Sequence, residues 1–326
     1  MIKHYAWNEI IPKEDIYSLL QLKPTNREEY LSLLNLTYNL KMVIPFPIQV
    51  YLELTNHCNL NCAMCNYDQM TRAKGYMEPD LAKGIIDEGA ASGRLYYLAL
   101  FIHGEPLLYP HLIEIIQYAK ERNVPVVNVT TNGVLLTEEI SRQIIGAGLD
   151  SLVISFMGVT KEGYVRLQGS ERNYQRVMDN IQHICRLKKE MKSEVPFISL
   201  KTLVEETDDP EQIAGFRNKW EKVVDFVNII PVNARGHGNK IIQVSGKPDP
   251  ERVPCRQVWQ KAIVLHDGTL SGCCYDIDGL VSGGTIQEAG GLGAAWQGNR
   301  LNRIREMHLR GEYDKIYYCR DCHSNY

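Results

Sequence analysis

Short runs in which apolar residues dominate or alternate recur at 48–54, 96–101, 125–130, 151–156, 197–203 and 223–230, the pattern of strands. Between them apolar residues return at three- and four-residue steps, as in Leu112, Ile115, Ile116 and Ala119, or Ile213, Phe216 and Trp220. That spacing predicts amphipathic helices. Regular strand-helix alternation predicts an α/β fold with parallel strands and right-handed crossovers, whose ligands collect at the C-terminal strand ends. Six units are too few for a closed eight-stranded barrel. Residues 1–43 read as helical pieces, with Ile16 and Leu20, then Leu31, Leu34 and Tyr38, as short apolar stripes. Beyond position 235 the pattern changes, with frequent Gly and Pro and five cysteines. The expected division is an N-terminal helical extension (1–43), a barrel core (44–235) and a small C-terminal domain (236–326).

The chain of 326 residues has a net charge of -3 and no Lys/Arg-rich block, so no nucleic-acid or anionic-membrane partner is expected. It shows neither a signal-peptide pattern nor an apolar span of membrane length, and the expectation is a cytoplasmic protein. Nine cysteines in such a chain argue for metal or cluster ligation over disulfides.

The stretch after the first strand reads T-N-H-C-N-L-N-C-A-M-C-N-Y, with Cys58, Cys62 and Cys65 spaced Cys-x3-Cys-x2-Cys. Three thiolates on one loop can grip three corners of a 4Fe-4S cubane and leave the fourth iron open, whereas an electron-transfer cluster is ordinarily held by four. A zinc knuckle is the alternative, with His57 as the local fourth ligand. The stretch resembles the signature loop of the radical S-adenosylmethionine (SAM) enzymes. The resemblance implies an open (β/α)6 partial TIM barrel in which the open iron chelates the methionine part of SAM, and reductive cleavage yields a 5'-deoxyadenosyl radical that takes a substrate hydrogen atom.

Further motifs follow the same resemblance. Phe101-Ile-His103-Gly104-Glu105-Pro106 is similar to the family's Gly-Gly-Glu-Pro, whose backbone carbonyls and Glu carboxylate receive the methionine ammonium. His103 replaces the first Gly. Thr131-Asn132-Gly133 is similar to the Thr-Asn-Gly turn beside SAM, Ser155 ends the fourth strand where relatives contact SAM, and Met64 and Tyr67 complete the implied SAM contacts. Met64 occupies the place of an aromatic residue near the adenine, or packs beneath the loop. Gln168 stands where relatives often have Arg, so Arg166 or Arg172 is expected to substitute.

The C-terminal pattern Cys255-Arg-Gln-Val-Trp259, His266 to Cys273, Trp296 and Cys319-Arg-Asp-Cys322 resembles the SPASM module or its shortened twitch form. Asp267-Gly268 is a hairpin signal between 262–265 and 269–272. The resemblance implies one auxiliary 4Fe-4S cluster on Cys255, Cys273, Cys319 and Cys322, with zinc on the same thiolates as the alternative. With seventeen residues between the first two of these ligands and two between the last pair, the spacing is similar to that in enzymes of the 2-deoxy-scyllo-inosamine dehydrogenase type. That implies dehydrogenation of a sugar, cyclitol or similar small molecule, fed by a reducing partner such as flavodoxin or ferredoxin. Epimerisation and peptide modification are the alternatives, the latter weakened by the lack of a leader-binding winged-helix pattern in 1–43. Cys274 could donate a hydrogen atom, serve as an alternative ligand or pack, and Cys185 reads as core. Lys201, Arg235 and His237 are candidates for the base or for polar substrate contacts, though a solvated loop or ion pair explains each one taken singly.

Overall fold

The computed structural model describes residues 23–169, 171–205, 207–231, 253–320 and 322. Ile16, Leu20, Arg235, His237 and the boundary expected at 235 lie outside them. All six expected strands form: β1 (Gln49–Leu52), β2 (Tyr97–Ala99), β3 (Val126–Thr131), β4 (Ser151–Ser155), β5 (Phe197–Val204) and β6 (Phe226–Pro231). They lie parallel, in the order β6-β5-β4-β3-β2-β1.

Helix α1 (Arg27–Asn39) precedes the sheet, and α2 (Pro79–Ser92), α3 (Leu112–Glu121), α4 (Glu138–Gly146), α5 (Lys161–Gln168), α6 (Glu171–Glu190) and α7 (Pro210–Trp220) connect its strands. Thr137, Thr160 and Asp209 cap α4, α5 and α7 through their side-chain oxygens. Along β4 and β5 alternate residues are buried: Leu152 and Ile154 of β4, and Ile198 and Leu200 of β5, join Ile115, Ile116, Ile144 and Ile181 of the helices in one core. Ser155 and its register partner Lys201 fall on the opposite face and are half-buried. Cys185 belongs to the helix-packed core, as its apolar stripe predicts.

The expected hairpin forms from β7 (Lys261–Val264) and β8 (Thr269–Ser271) and continues to β9 (Ser282–Thr285). Its placement was not legible in the sequence. β7 pairs in parallel with β1, Tyr51 opposite Ile263, so the C-terminal segment extends the barrel sheet to nine strands. Without β7 the apolar edge of β1 would be left unpaired, and Ala262, Ile263 and Val264 are all buried there. Four short helices follow or flank these strands: α8 (Gln257–Gln260), α9 (Ile286–Ala289), α10 (Leu292–Trp296) and α11 (Asn299–Leu309). Among the described residues no helix is long and apolar enough to cross a membrane.

Candidate functional site

The Cys58–Cys65 loop leaves β1 from a fixed stem. Asn56 is fully buried; its Nδ2 donates to the Ala73 carbonyl (2.9 Å), its Oδ1 accepts the Gly75 N–H (2.7 Å), and Thr55 Oγ1 donates to the Gly75 carbonyl (2.8 Å). Within the loop the Cys58 N–H donates to the Tyr67 hydroxyl (2.9 Å) and the Cys65 N–H to the Cys62 carbonyl (3.0 Å). Burial pushes the Cys58 thiol up to about 11 and Cys62 up to about 12, and Cys65 adds to both shifts. The donor set itself fits a cluster: three thiols on one loop bind as thiolates, releasing their protons when the cationic centre is bound. The zinc alternative needs His57, but its ring stacks on Tyr76 with centroids 4.8 Å apart. Among the described residues no three His, Cys, Asp or Glu side chains form a closed metal-holding group.

The motifs after β2 and β3 close around this loop. Gly104 has φ +78°, and a Cβ there would meet the Thr55 and His57 carbonyl oxygens at 2.5 and 2.7 Å, so only glycine lets the two loops touch. The Glu105 N–H then donates to the His57 carbonyl (2.7 Å). The Glu105 carboxylate is buried and accepts from Thr131 Oγ1 (2.6 Å), Asn132 N–H (2.8 Å) and Leu107 N–H (3.1 Å). Burial outweighs these donors and pushes its pKa up to about 7. Asn132 Nδ2 reaches on to Asn59 Oδ1 (2.8 Å), joining the third strand end to the cysteine loop. Met64 is half-buried on the same loop.

Gln168 has its own task. Its Nε2 donates to the Ser155 carbonyl (3.0 Å) and its Oε1 accepts the Met157 N–H (2.9 Å), clamping the end of β4. Of the two residues expected to substitute for an arginine here, Arg166 pairs with Glu205 and Arg172 is exposed on α6.

A charged group missed in the sequence sits where three neighbouring strands end. Glu53, one residue past β1, is fully buried. It binds Arg72 through both carboxylate oxygens, His103 Nδ1 (2.8 Å) and His266 Nδ1 (3.1 Å), so the loops after β1, β2 and β7 meet on one carboxylate. Burial pushes Glu53 up, but the hydrogen bonds from His103, His266 and Arg72 hold it well below the usual carboxylate range. Gly75 lies against the His266 ring, where a Cβ would come within 2.7 Å. Among the described residues the buried His103 Nε2 has no hydrogen-bond partner. A charged residue inside the apolar run 48–54 was the one available sign in the sequence.

Cys255, Cys273, Cys319 and Cys322 line one cavity with Val258, His308 and Tyr318. Burial pushes Cys255 up to about 12 and Cys273 well above the ordinary thiol range, and four thiols on one cavity are the donor set that a 4Fe-4S cluster or zinc takes. Ser271 Oγ accepts the Cys273 N–H (3.2 Å) and donates to the buried Asp276 (3.0 Å), which fixes that ligand segment. Cys274 is not among the lining residues; its thiol hydrogen-bonds with Gln257 near Lys261.

Comparison with known families agrees with this geometry. The radical SAM superfamily model matches residues 52–198, and the SPASM iron-sulfur cluster-binding domain model matches residues 255–323. The chain carries a radical SAM domain and a SPASM domain. The first implies SAM with a 4Fe-4S cluster, the second additional iron-sulfur clusters. The chain is 30% identical over 202 residues to the AdoMet-dependent heme synthase of Methanosarcina barkeri, 62% of this chain but 55% of that protein, so it spans about half of that relative. The fold is shared with BtrN in complex with AdoMet and 2-DOIA, at a TM-score of 0.56 and 16% identity over 86% of this chain and 96% of BtrN. Streptococcus suis SuiB bound to its precursor peptide SuiA gives a TM-score of 0.61 and 15% identity over 86% of this chain and 73% of SuiB.

Proposed function

We propose that this radical SAM chain is an oxidoreductase that dehydrogenates a sugar, cyclitol or similar small molecule in the cytoplasm, with electrons for SAM cleavage supplied by a flavodoxin or ferredoxin. The reading also takes 1–43 as an extension, 44–235 as the barrel and 236–326 as the SPASM/twitch domain. The observation that supports it is that Cys255, Cys273, Cys319 and Cys322 line one cavity, with Cys274 beside them but not in its lining. Four thiolates complete the ligation of one cubane and leave no iron for substrate. Cys58, Cys62 and Cys65 would hold the cluster that with SAM would supply a 5'-deoxyadenosyl radical for hydrogen abstraction, and Cys255, Cys273, Cys319 and Cys322 would hold a second cluster able to accept an electron.

The chain's own residues then have distinct tasks. Glu105 offers a carboxylate to the methionine ammonium of SAM, with Thr131 and Asn132 holding it in place. Gly104 and the Glu105 N–H bring the second strand end against the cluster loop, and the His103 carbonyl, Met64, Tyr67 and Ser155 complete the SAM side. With His103 Nδ1 hydrogen-bonded to Glu53, we assign its buried Nε2, unpartnered among the described residues, to hold the proton released when a carbinol is oxidised.

A second reading, modification of a peptide, draws on the likeness to SuiB in its SuiA-bound form. Use of Cys274 as a hydrogen-atom donor would instead give epimerisation. Anaerobic reconstitution, iron and sulfide analysis, and assay of 5'-deoxyadenosine after adding SAM and dithionite test the main reading. About eight irons per chain with deoxyadenosine formed supports it. About four irons removes the electron-acceptor argument, and saturable binding of a ~20 to 50 residue peptide would move the substrate class to the second reading.

A further inference from the structure

His308 lies on α11 and is buried at the cavity shared by Cys255, Cys273, Cys319 and Cys322. Its Nδ1 accepts the Cys255 N–H (3.3 Å), and its Nε2 lies 3.5 Å from Cys319 Sγ. A ring nitrogen that accepts a backbone N–H cannot also carry a proton. The single proton of the neutral imidazole therefore sits on Nε2, where Cys319 sulfur is the acceptor. The helix bearing His308 is itself anchored one turn earlier: Arg305 Nε donates to the Val258 carbonyl (2.7 Å) and its Nη1 to the Trp296 carbonyl (2.8 Å). Trp259 and Tyr313 stand edge-on to the imidazole, with centroids 6.4 and 5.2 Å away, and fix its plane. One ring thus spans two ligand segments that are far apart in the chain, taking a hydrogen bond from one and giving one to the other.

We propose that His308 is a positioning residue that donates an N–H···S hydrogen bond to the Cys319 thiolate and raises the reduction potential of the auxiliary cluster. This rests on the reading that these four cysteines hold a 4Fe-4S cluster. Reduction adds one negative charge to the cluster and its thiolates, and a donor aimed at a ligating sulfur stabilises the reduced form more than the oxidised one. A higher potential makes the centre a better acceptor for the single electron left after hydrogen-atom and proton removal from the substrate.

The test is a potentiometric titration followed by electron paramagnetic resonance, in the full chain carrying Cys58→Ala, Cys62→Ala and Cys65→Ala so that only the second centre signals. His308→Asn retains an acceptor for the Cys255 N–H but is too short to reach Cys319; His308→Gln restores a donor at the longer reach. We expect His308→Asn to lower the midpoint by about 59 mV, a tenfold loss in the one-electron equilibrium constant. His308→Gln should recover at least half of the shift, with about four irons retained in both. An unchanged midpoint in His308→Asn with iron retained overturns the proposal and leaves the cluster assignment intact. Loss of iron in His308→Asn, restored by Gln without recovery of the potential, makes His308 a structural clamp and also overturns it. Absence of iron from the parent chain with His308 intact removes the cluster assignment itself, and the proposal with it.

Discussion

The two cysteine sites are built in opposite ways. Cys58, Cys62 and Cys65 share one loop, one of them exposed, and are held by contacts to nearby backbone and to Tyr67. Cys255, Cys273, Cys319 and Cys322 come from three separate segments, and their cavity closes only when α11, β8 and the C-terminal turn pack together. A local triad can keep one side open for a ligand. A site assembled from distant segments surrounds its centre with protein, which is what the electron-accepting role we propose for it requires.

The largest effect that would break this contrast comes from the triad. Cys58→Ala should abolish 5'-deoxyadenosine formation and reduce iron from about eight to about four per chain. Continued deoxyadenosine formation would defeat the assignment of the open site. Cys319→Ala should produce the complementary result: about four irons lost, SAM cleavage retained, and oxidised product absent. If that variant lost SAM cleavage as well, the two sites could not be functionally separate.

Glu53 is where the two halves meet, and its removal sharpens the comparison from the stability side. In Glu53→Gln the Arg72 guanidinium loses a fully buried carboxylate partner, and breaking a buried pair in this way costs about 3–5 kcal/mol. Chemical denaturation should show that loss, and both sites should be affected together because His103 and His266 share the same carboxylate. A variant as stable as the parent would show that the contact between the two halves does not depend on this charge.

What could be read in advance follows the same division between local and distant. The strands were legible because period-two apolar runs are local, and their errors are local too. The sixth was placed from 223 but begins at Phe226, because the Val223 and Val224 N–H groups bond back to Trp220 and close the end of α7. The cysteine spacings were legible because a loop must deliver its thiols at fixed separations. Glu53, Arg72, His266 and His308 were not, since each acquires its partner only across the fold. Gln168 falls between: its departure from the expected arginine was visible, but its clamp on Ser155 and Met157 required the turn geometry after β4. The pairing of β7 with β1 was also hidden, because a parallel edge leaves no mark on either strand beyond apolarity.

The smallest effect concerns Glu105, which belongs to the open site and has no counterpart in the closed one. Burial raises its pKa to about 7, so the ligand-free protein holds that proton more tightly than the unfolded chain does, for which the ordinary value is 4.5. The sign for stability follows: the contribution is complete below the ordinary carboxylate range and is lost as pH rises through about 7. SAM binding should run the other way. An ammonium is attracted to the carboxylate and not to the neutral acid, so affinity should rise with pH to a plateau above 7 and fall by up to about tenfold per unit below it. Glu105→Gln should flatten both dependences, read by thermal unfolding of the ligand-free protein and by SAM titration of the reconstituted one from pH 5.5 to 8.5. Opposite slopes that disappear together in one variant would tie both to this carboxyl. Parallel slopes, or a SAM titration that keeps its pH dependence in Glu105→Gln, would take Glu105 out of the SAM site and leave it as the tie between the second and third strand ends.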